Sequence, residues 1–532
     1  MMFKRCPQSG KIVGYHFDTF WAKVLFPIVV ILAIAWFLVR VIPKPDRMTY
    51  PCQKFAMGLG GSFLAYVLSL AVSLKILKAL RNNHLRVACL SVIAFIISST
   101  LIVYGISPNP PDYKPILTNI EGANNPMGEG RGIFPGRVVW VRDTNATSWD
   151  GKNGFWWDDN NTDQQSTDGL FKLALTKTTG TNSQSAAWQK LFEYHNSRNG
   201  KKQGYQAGEK FIIKVNLNPV ANPTDKWTDR GYSSPHMVNA LVKDLIEVVG
   251  VKGQDIIIAD PSRHFVGPLY HKIRSNPSAE YKQVQFVGKK TLDLPQQVEA
   301  RPDIANAIYF NMPDGAKYKM CLPQCFTDAN YIIDFAVVRP HRCFGTTNVA
   351  KNHFGSVWSY EQKSFAPNKL HAFALWDYPT PNKHKDPHSN PVLLGHKTIY
   401  SKTLLYLADG LYTAYNQHSG NVQRMSTMNN DWLSSLFMSL DPVALESVCY
   451  DVICSEPNLT LNNPSFNGHQ DSQLHEAALA HKPPSGTVYD PENNGKGLPS
   501  LGVHEHWNNA EEKLYSRNMG KEQGIELVFE EF

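Results

Sequence analysis

The residues best suited to chemistry lie in one loop, which runs from Arg339 to Gly355. The loop directly follows a β-like run, Tyr331–Val338, of mostly apolar residues. Open α/β sheets place their ligand sites after the carboxyl ends of strands, so this loop marks the expected site. Around its two glycines it gathers cationic, imidazole, thiol and amide side chains, namely Arg339, His341, Arg342, Cys343, Lys351, Asn352 and His353.

Three further β-like runs lead to polar residues in the same way. These runs are Phe211–Leu217, Asp255–Ala259 and Thr403–Ala408. If the four strands are parallel neighbours, the polar groups at their carboxyl ends converge on one crevice. The groups that the three additional strands contribute are Asn216 and Asn218, then Asp260 and Ser262 with Arg263 and His264 next, and finally Asp409.

Each of these residues also has a simpler structural interpretation. Asn216 and Asn218 favour a turn before Pro219, and the pairs Asp260-Pro261 and Asp409-Gly410 are common turn sequences. Lys351 and Asn352 could cap a helix or face solvent, and Asp441 is better explained as a helix cap than as a catalyst. The conjunction of these residues therefore carries more weight than any one of them.

The fold class predicted from the local patterns is α/β, with a mostly parallel sheet covered by helices. Ser233-Ser234-Pro235 predicts a helix start with a serine cap, apolar residues then recur at helical spacing, and Gly250 ends the helix. Asp255–Ala259 reads as the next strand of a βαβ unit. A first strand is expected at Val138–Val141, and a second helix at Asp441-Pro442.

Three apolar runs precede this domain, at about residues 24–42, 55–77 and 87–106. Each has about the length that a helix needs to cross a bilayer, so residues 1–106 are predicted to be a membrane anchor with three transmembrane helices. Lysines and arginines before the first run and between the second and third indicate a cytoplasmic amino terminus. The prediction is a multi-pass protein of the bacterial inner membrane, with the large domain on the periplasmic or extracellular side.

The remaining boundaries follow from composition. Residues 107–136 are rich in Pro, Gly and Asn and are predicted to be a linker. The α/β domain is expected at 137–482, and residues 483–532 are expected to be a tail that wraps the domain surface. The chain has 532 residues, 42% of them hydrophobic, and a formal charge of +7 without a concentrated basic stripe, which argues against nucleic-acid binding.

Several familiar motifs are absent from the sequence. It has no phosphate-binding P-loop, no nucleophile elbow and no His-Glu-x-x-His helix. Its eight cysteines include no Cys-x-x-Cys pair, so an iron–sulfur cluster is not expected. His504-Glu505-His506 would place both imidazoles on one face of a strand and could bind a metal, although a surface turn is the favoured interpretation.

The motifs around the crevice resemble domain-of-unknown-function family 362. The matching pieces span roughly residues 205–455, and they are Ile213–Asn218, Ser234-Pro235, Ala259–Ser262, Arg339–His341, Ala350–Gly355, Asp409-Gly410 and Asp441–Ala444. The resemblance implies no reaction. Many members of that family are described as iron–sulfur proteins, and this chain departs from them because it lacks their cysteine runs.

The leading functional hypothesis is an enzyme whose crevice binds a small anionic or polar ligand. Binding of a divalent metal in the same crevice is an open alternative. The catalytic candidates are His341, Lys351 and Asp260, and the metal candidates are Asp260, His341 and Asp409. The ligand-binding candidates are Lys214, Asn216, Asn218, Ser262, Arg339, Arg342, Asn352 and Asp409. The alternative is a non-catalytic binding or assembly subunit, whose partners would be the lipid bilayer and other membrane proteins that contact the three spans.

Overall fold

The structure is a computed structural model. It describes residues 3–5, 12–15, 121–201, 204–289, 294, 297–311, 315–341, 344–365, 370–371, 387–416, 421–460 and 470–532. The chain divides into two units, residues 1–113 and 114–532. The described part of the first unit is an antiparallel pair of strands, β1 (Phe3–Arg5) and β2 (Ile12–Tyr15).

No helix among the described residues is both long enough and apolar enough to cross a membrane. The three predicted spans, at 24–42, 55–77 and 87–106, lie outside the described residues. The predicted anchor is therefore neither supported nor tested by this part of the chain.

The second unit is built on a sheet of nine described strands. The remaining strands of this unit, in chain order, are β3 (Met127–Gly128), β4 (Arg137–Arg142), β5 (Phe211–Lys214), β6 (Ile256–His264), β7 (Gln285–Lys289), β8 (Gln297–Glu299), β9 (Pro302–Asn311), β10 (Lys317–Pro323), β11 (Tyr331–Val337), β12 (Pro340–His341), β13 (Gly345–Thr346), β14 (Trp358–Ser359), β15 (Ser364–Phe365), β16 (Thr403–Gly410), β17 (Ser435–Ser439), β18 (Val503–His504) and β19 (Glu526–Glu531).

The nine strands of the main sheet follow the order β19-β4-β17-β16-β11-β5-β6-β7-β8. β17 runs antiparallel to both of its neighbours, and the other pairings are parallel. The four strands that the sequence predicted to be parallel neighbours, β16, β11, β5 and β6, are adjacent and parallel in the structure. The predicted α/β class with a mostly parallel sheet is confirmed.

Helices cover both faces of this sheet. They are α1 (Gln164–Thr179), α2 (Gln184–Arg198), α3 (Pro235–Lys243), α4 (Gly267–Arg274), α5 (Ala279–Gln283), α6 (Gln324–Asp328), α7 (Val349–Asn352), α8 (Ser389–Gly395), α9 (Lys397–Lys402), α10 (Pro442–Ser455) and α11 (Gln470–Ala478). Successive residues of β5 enter different cores, since Ile212 packs with apolar residues of α10 and α11, and Ile213 packs with those of α1 to α4. This alternation explains why the strands read as continuous apolar runs.

Two predicted elements differ from the structure in instructive ways. The strand predicted at Phe211–Leu217 ends at Lys214, and beyond it the Leu217 N–H is donated to Asp260 Oδ2 at 2.9 Å. Helix α3 begins at Pro235 as predicted, but the Ser234 side chain makes no capping hydrogen bond. The Ser234 N–H is instead donated to Asp409 Oδ2 at 2.6 Å.

The chain segments predicted to be a linker and a surface tail both contribute strands. β3 lies within the predicted linker and pairs with β18 of the predicted tail. β19, the last strand, joins the main sheet beside β4. The composition of these segments gave no sign of this pairing, because it joins residues that are hundreds of positions apart in the sequence.

A smaller antiparallel sheet lies beside the main one, in the order β15-β14-β10-β9. Its β14–β15 hairpin presents Ser364 and Phe365 to the same cavity that the ends of β5 and β6 line. This sheet therefore supplies one wall of the candidate site described below.

Asp441 confirms the predicted cap of helix α10 and holds more than that helix. Its Oδ1 accepts the N–H groups of Val443 and Ala444, and its Oδ2 accepts those of Arg131 and Val503. The side chain is fully buried, and burial raises its pKa to about 6. One carboxylate thus fixes the start of α10 and two distant backbone segments.

We expect the Asp441→Ala substitution to lower the free energy of unfolding by about 2 kcal/mol or more, because it leaves buried backbone donors without acceptors. Ser183, an exposed cap of α2 that accepts one N–H from Ala186, is the matched control, and Ser183→Ala should cost about 1 kcal/mol or less. Chemical denaturation followed by tryptophan fluorescence measures both. Equal losses in the two variants would contradict this role for Asp441.

Candidate functional site

A cavity of about 540 Å³ opens at the carboxyl ends of the central parallel strands. Parallel strands direct their carboxyl ends to one edge of the sheet, which explains why residues far apart in sequence meet here. Its lining includes residues from strands β5, β6, β7, the loop after β11 and the β14–β15 hairpin. These residues are Lys214, Asn216, Asn218, Asp260, Ser262, Arg263, Lys289, His341, Thr347, Lys351, Asn352, Phe354, Gly355, Gln362, Ser364, Phe365 and His371.

The ammonium group of Lys214 lies at the buried end of this cavity. It donates to Asn352 Oδ1 at 3.0 Å and to the Val215 carbonyl at 2.5 Å, and it lies 3.6 Å from Asp260 Oδ2. Only 1% of the lysine is exposed, and burial lowers its pKa against the opposing influence of Asp260 and Asp334. A buried cation is costly unless it is paired, and these contacts provide the pairing.

Asn352 connects the loop to two strands of the sheet. Its amide nitrogen donates to the Lys214 carbonyl at 3.0 Å and to Asp334 Oδ1 at 2.7 Å, while its amide oxygen accepts from Lys214 Nζ. The next residue, His353, is fully buried, and its Nε2 lies 3.2 Å from Asp334 Oδ2 in a geometry that does not make a hydrogen bond. The side chain of Asn352 is therefore occupied by the protein, although it lines the cavity.

Gly355 allows the loop to approach the end of β6 closely. A Cβ atom at this position would lie 2.8 Å from Asp260 Oδ1 and 2.9 Å from Ser262 Oγ. Asp260 Oδ1 also accepts the Ser262 hydroxyl at 3.0 Å, so the two residues form one polar corner. The glycine is thus required by packing against this corner.

Aromatic residues form another part of the cavity lining. Lys351 Nζ lies 3.5 Å from the ring centre of Phe354 and 4.8 Å from that of Phe344, a cation–π arrangement. His341 packs edge-on against Phe344 at 5.5 Å, and its ring lies 6.4 Å from that of His371. A cation and two imidazoles therefore lie against apolar rings on one side of the cavity.

The structure brings most of the predicted site residues together. Lys214, Asn216, Asn218, Asp260, Ser262, His341, Lys351 and Asn352 all line the cavity. Arg342 lies outside the described residues, as does its neighbour Cys343.

Arg339 lies beneath the cavity and is not part of its lining. Its guanidinium is fully buried and donates to the Gly231 carbonyl at 2.6 Å and to Asn216 Oδ1 at 2.9 Å. Burial lowers its pKa to about 9, with a further contribution from Arg263. The contacts indicate that Arg339 holds Asn216 and the backbone at Gly231 in place.

Asp409 is likewise placed away from the cavity lining. Its Oδ2 accepts the Ser234 N–H at 2.6 Å and its Oδ1 accepts the Leu411 N–H at 3.0 Å. Burial raises its pKa to about 6. Polar residues at strand ends also start helices and turns, and both oxygens of Asp409 are used in this way.

The sequence analysis left several cavity residues out of its binding candidates. It named Arg263 at the end of its strand without making it a candidate, and it did not name Lys289, which ends β7, the next parallel strand after β6. Extending the strand-end argument by one strand would have found Lys289. His371, Gln362 and Ser364 have no comparable local signal, because they lie far from the strand ends in sequence.

The three metal candidates from the sequence do not form a common ligand group. Among the described residues, Asp471, His504 and His506 form a group of three possible metal ligands. Their ligand atoms lie within 4.8 Å of one another. Asp409 is engaged by backbone donors, and Asp260 by Leu217, Ser262 and Lys214. The possible metal ligands in the structure are therefore a different set from those that the sequence indicated.

Comparison with known proteins gives a family match and a distant structural similarity. Residues 212–451 match the family model described as domain of unknown function (DUF362). No curated protein matches the chain. This confirms the resemblance for the segment that carries the cavity motifs.

A solved structure, the lactate racemase apoprotein from Thermoanaerobacterium thermosaccharolyticum, is similar to the chain with 13% identity and a TM-score of 0.28. The similarity covers 61% of this chain and 62% of that protein, so the chain spans about three fifths of the relative's length. At this level the similarity carries no inference about function.

Asn352 should be essential to the stability of the site. We expect Asn352→Ala to lower the free energy of unfolding by about 3 kcal/mol, because Lys214 and Asp334 lose buried partners. Asn306→Ala, which removes one half-exposed bond to Asp303, should cost about 1 kcal/mol or less. Thermal and chemical denaturation of both variants provide the comparison, and a loss at Asn352 no larger than at Asn306 would be inconsistent with this network.

Glu446 should give the protein a pH-dependent stability. It is buried, accepts the Ala350 N–H at 2.7 Å, and burial raises its pKa to about 8. Between about pH 4.5 and 8 the folded state therefore keeps a proton that the unfolded state has released, so stability falls as the pH rises through this range.

The denaturation midpoint of the wild type should accordingly fall more steeply between pH 5 and 8 than that of Glu446→Gln. Glu193→Gln, a change of an exposed glutamate on α2, controls for the loss of one charge and should keep the wild-type slope. Parallel profiles for wild type and Glu446→Gln would show that Glu446 ionises normally.

Proposed function

We propose that the cavity at the strand carboxyl ends binds a small anionic ligand that carries a carboxylate or phosphate group. The observation that supports this most directly is its charge. Four cationic side chains, Lys214, Arg263, Lys289 and Lys351, line it against one carboxylate, Asp260. The volume of about 540 Å³ lies within the usual range for small-molecule sites.

Arg263 places a positive charge in the lining. Its Nε donates to the Asn218 carbonyl at 2.9 Å, one terminal nitrogen donates to the Ser262 carbonyl at 3.1 Å, and the other donates to Asn218 Oδ1. Among the described residues no carboxylate lies within ion-pair distance of it, so neutral oxygens hold the guanidinium in place. Its charge favours a carboxylate or phosphate in the cavity.

Lys351 and the aromatic wall formed by Phe354 and Phe365 would also contact the ligand. The ammonium group over Phe354 contributes positive charge, and the rings of Phe354 and Phe365 offer apolar surface. His341, which lies within this wall, is the residue proposed to act as acid or base. The ligand we infer is therefore amphipathic, with an anionic end near Arg263 and Lys351.

A divalent metal fits this cavity poorly. Asp260 is the one carboxylate among the described lining residues, and Lys214 lies 3.6 Å from its Oδ2. Four surrounding cations would repel a second positive charge in a partly buried site. The proposal therefore assigns no metal to this cavity, and Asp260 acts by positioning Lys214 and Ser262.

The membrane-related hypotheses stay predictions. The three apolar runs support a multi-pass anchor with this domain on the periplasmic or extracellular side. They also support the alternative of an assembly subunit that contacts membrane proteins through its spans. Neither changes the chemistry proposed for the cavity.

Binding should be measured by isothermal titration calorimetry with inorganic phosphate and with succinate as probes. We expect the full-length wild type to bind at least one of them, and Lys351→Met to weaken that affinity about tenfold, a change of about 1.4 kcal/mol. Lys172→Met, at an exposed lysine of α1 outside the cavity, removes the same charge and should bind as the wild type does.

The proposal would be abandoned if neither anion binds the wild type, or if Lys351→Met binds as tightly as Lys172→Met. Thermal midpoints of both variants establish that each is folded before titration. Weaker binding at higher ionic strength is expected in addition, because part of the affinity arises from charge.

A further inference from the structure

The carboxyl-terminal segment carries a second group of chemically capable side chains, separate from the cavity. Asp471 lies on α11, and His504 and His506 lie on or just after β18. Their ligand atoms lie within 4.8 Å of one another, and all three side chains are buried. The sequence analysis favoured a surface turn for His504-Glu505-His506, and this burial shows that interpretation to be wrong.

Alternate side chains of the segment His504–His506 lie on the same side, which places the two imidazoles together. Glu505 points elsewhere, where its carboxylate accepts the N–H groups of Ser516 and Ile525. The rings of His504 and His506 lie 4.9 Å apart at nearly a right angle. Two imidazoles and one carboxylate from different elements thus converge on one point.

The hydrogen bonds of His504 determine which of its nitrogens is available. Ser447 donates its hydroxyl to the Val443 carbonyl at 2.7 Å, so its oxygen can only accept from His504 Nδ1, which lies 2.9 Å away. His504 Nδ1 therefore carries the proton, and Nε2 presents a lone pair. Nε2 has no hydrogen-bond partner among the described residues, and His504 is fully buried.

The neighbours of His506 have the arrangement that is usual around metal-binding histidines. His506 Nδ1 lies 2.6 Å from Asp451 Oδ1, and its Nε2 lies 3.0 Å from Asp471 Oδ1. A metal-binding imidazole commonly donates its second N–H to a carboxylate. Asp451 is itself held by the Tyr515 hydroxyl at 2.7 Å and the Trp507 N–H at 3.0 Å.

A network of hydrogen bonds without a metal explains only part of this arrangement. A protonated His506 between Asp451 and Asp471 would satisfy its own two nitrogens. It would leave the buried lone pair of His504 Nε2 without a partner, which is unfavourable by about 1–3 kcal/mol. A cation shared by His504, His506 and Asp471 satisfies all three groups.

We propose that Asp471, His504 and His506 form a binding site for a divalent first-row transition metal, for which Zn²⁺ is the species to test. Imidazole and carboxylate ligands suit Zn²⁺, whereas Ca²⁺ and Mg²⁺ prefer oxygen ligands alone. Ligands at about 2.0–2.2 Å from a tetrahedral Zn²⁺ are about 3.3–3.6 Å apart, so the ligand atoms, which lie within 4.8 Å of one another here, must approach by up to about 1.5 Å when the metal binds. Three protein ligands leave the fourth position of a tetrahedral Zn²⁺ to a water molecule, and the bound metal would hold the tail against α10 and α11.

The test uses the full-length protein, purified in mild detergent without a polyhistidine tag. We expect inductively coupled plasma mass spectrometry to find about one Zn²⁺ per chain. The variant His504→Asn keeps a donor near Ser447 and removes the nitrogen that binds metal, so its metal content should fall at least fivefold. His396→Asn, at the fully buried histidine that directly follows α8, controls for the loss of a buried imidazole, and this variant should keep its metal.

A second measurement keeps the proposal testable if His504→Asn does not fold. The wild type is stripped with a chelator and titrated with Co²⁺, which should produce visible d–d absorption that saturates near one equivalent and is displaced by Zn²⁺. A wild type that holds no metal and develops no Co²⁺ absorption would overturn the proposal. Equal metal content in wild type and a folded His504→Asn variant would overturn it as well.

Discussion

The buried ammonium group of Lys214 is the interaction on which the candidate site depends. It lies at the end of β5, between Asp260 of β6 and Asp334 of β11, and it is bonded to Asn352 of the loop. Desolvating one lysine and two carboxylates is costly, and the cost is offset only when all of them keep their partners. Three strands and one loop are therefore held in a single arrangement, which explains why the Lys-Asn-His-Phe-Gly stretch folds back onto the strand ends.

This arrangement also determines the charge that a ligand meets. Asp260 and Asp334 are committed to Lys214 and Asn352, so they do little to neutralise Arg263, Lys289 and Lys351. The cavity is consequently positive on its accessible side although carboxylates lie beneath it. Charge also distinguishes the two proposed sites. An anion is favoured at the strand ends, whereas a metal is favoured where His504 and His506 meet Asp471. The described contacts of these three residues include no lysine or arginine.

Local physical rules were enough to predict the four adjacent parallel strands at the centre of the main sheet. Continuous apolar runs identified β5, β6, β11 and β16, and the Asp441-Pro442 pair identified the start of α10. The same rules could not distinguish a polar residue that lines a cavity from one that starts a helix, so Asp409 and Arg339 were assigned to the site. The rules gave no indication that β3 pairs with β18 or that β19 pairs with β4. The composition of the tail indicated a surface segment, whereas β18 and β19 are paired and His504 is buried against residues of α10.

The two proposed sites share their supporting helices. On α10, Glu446 accepts the Ala350 N–H of the loop, and the next residue, Ser447, accepts from His504. On α11, Gln470 accepts the Thr346 N–H, and the next residue, Asp471, is a proposed metal ligand. Adjacent residues of both helices thus contact the loop on one side and the histidines on the other. A metal that fixes Asp471 against His504 and His506 would also fix Gln470 and Glu446, so the tail stabilises the loop that carries Lys351 without touching the ligand.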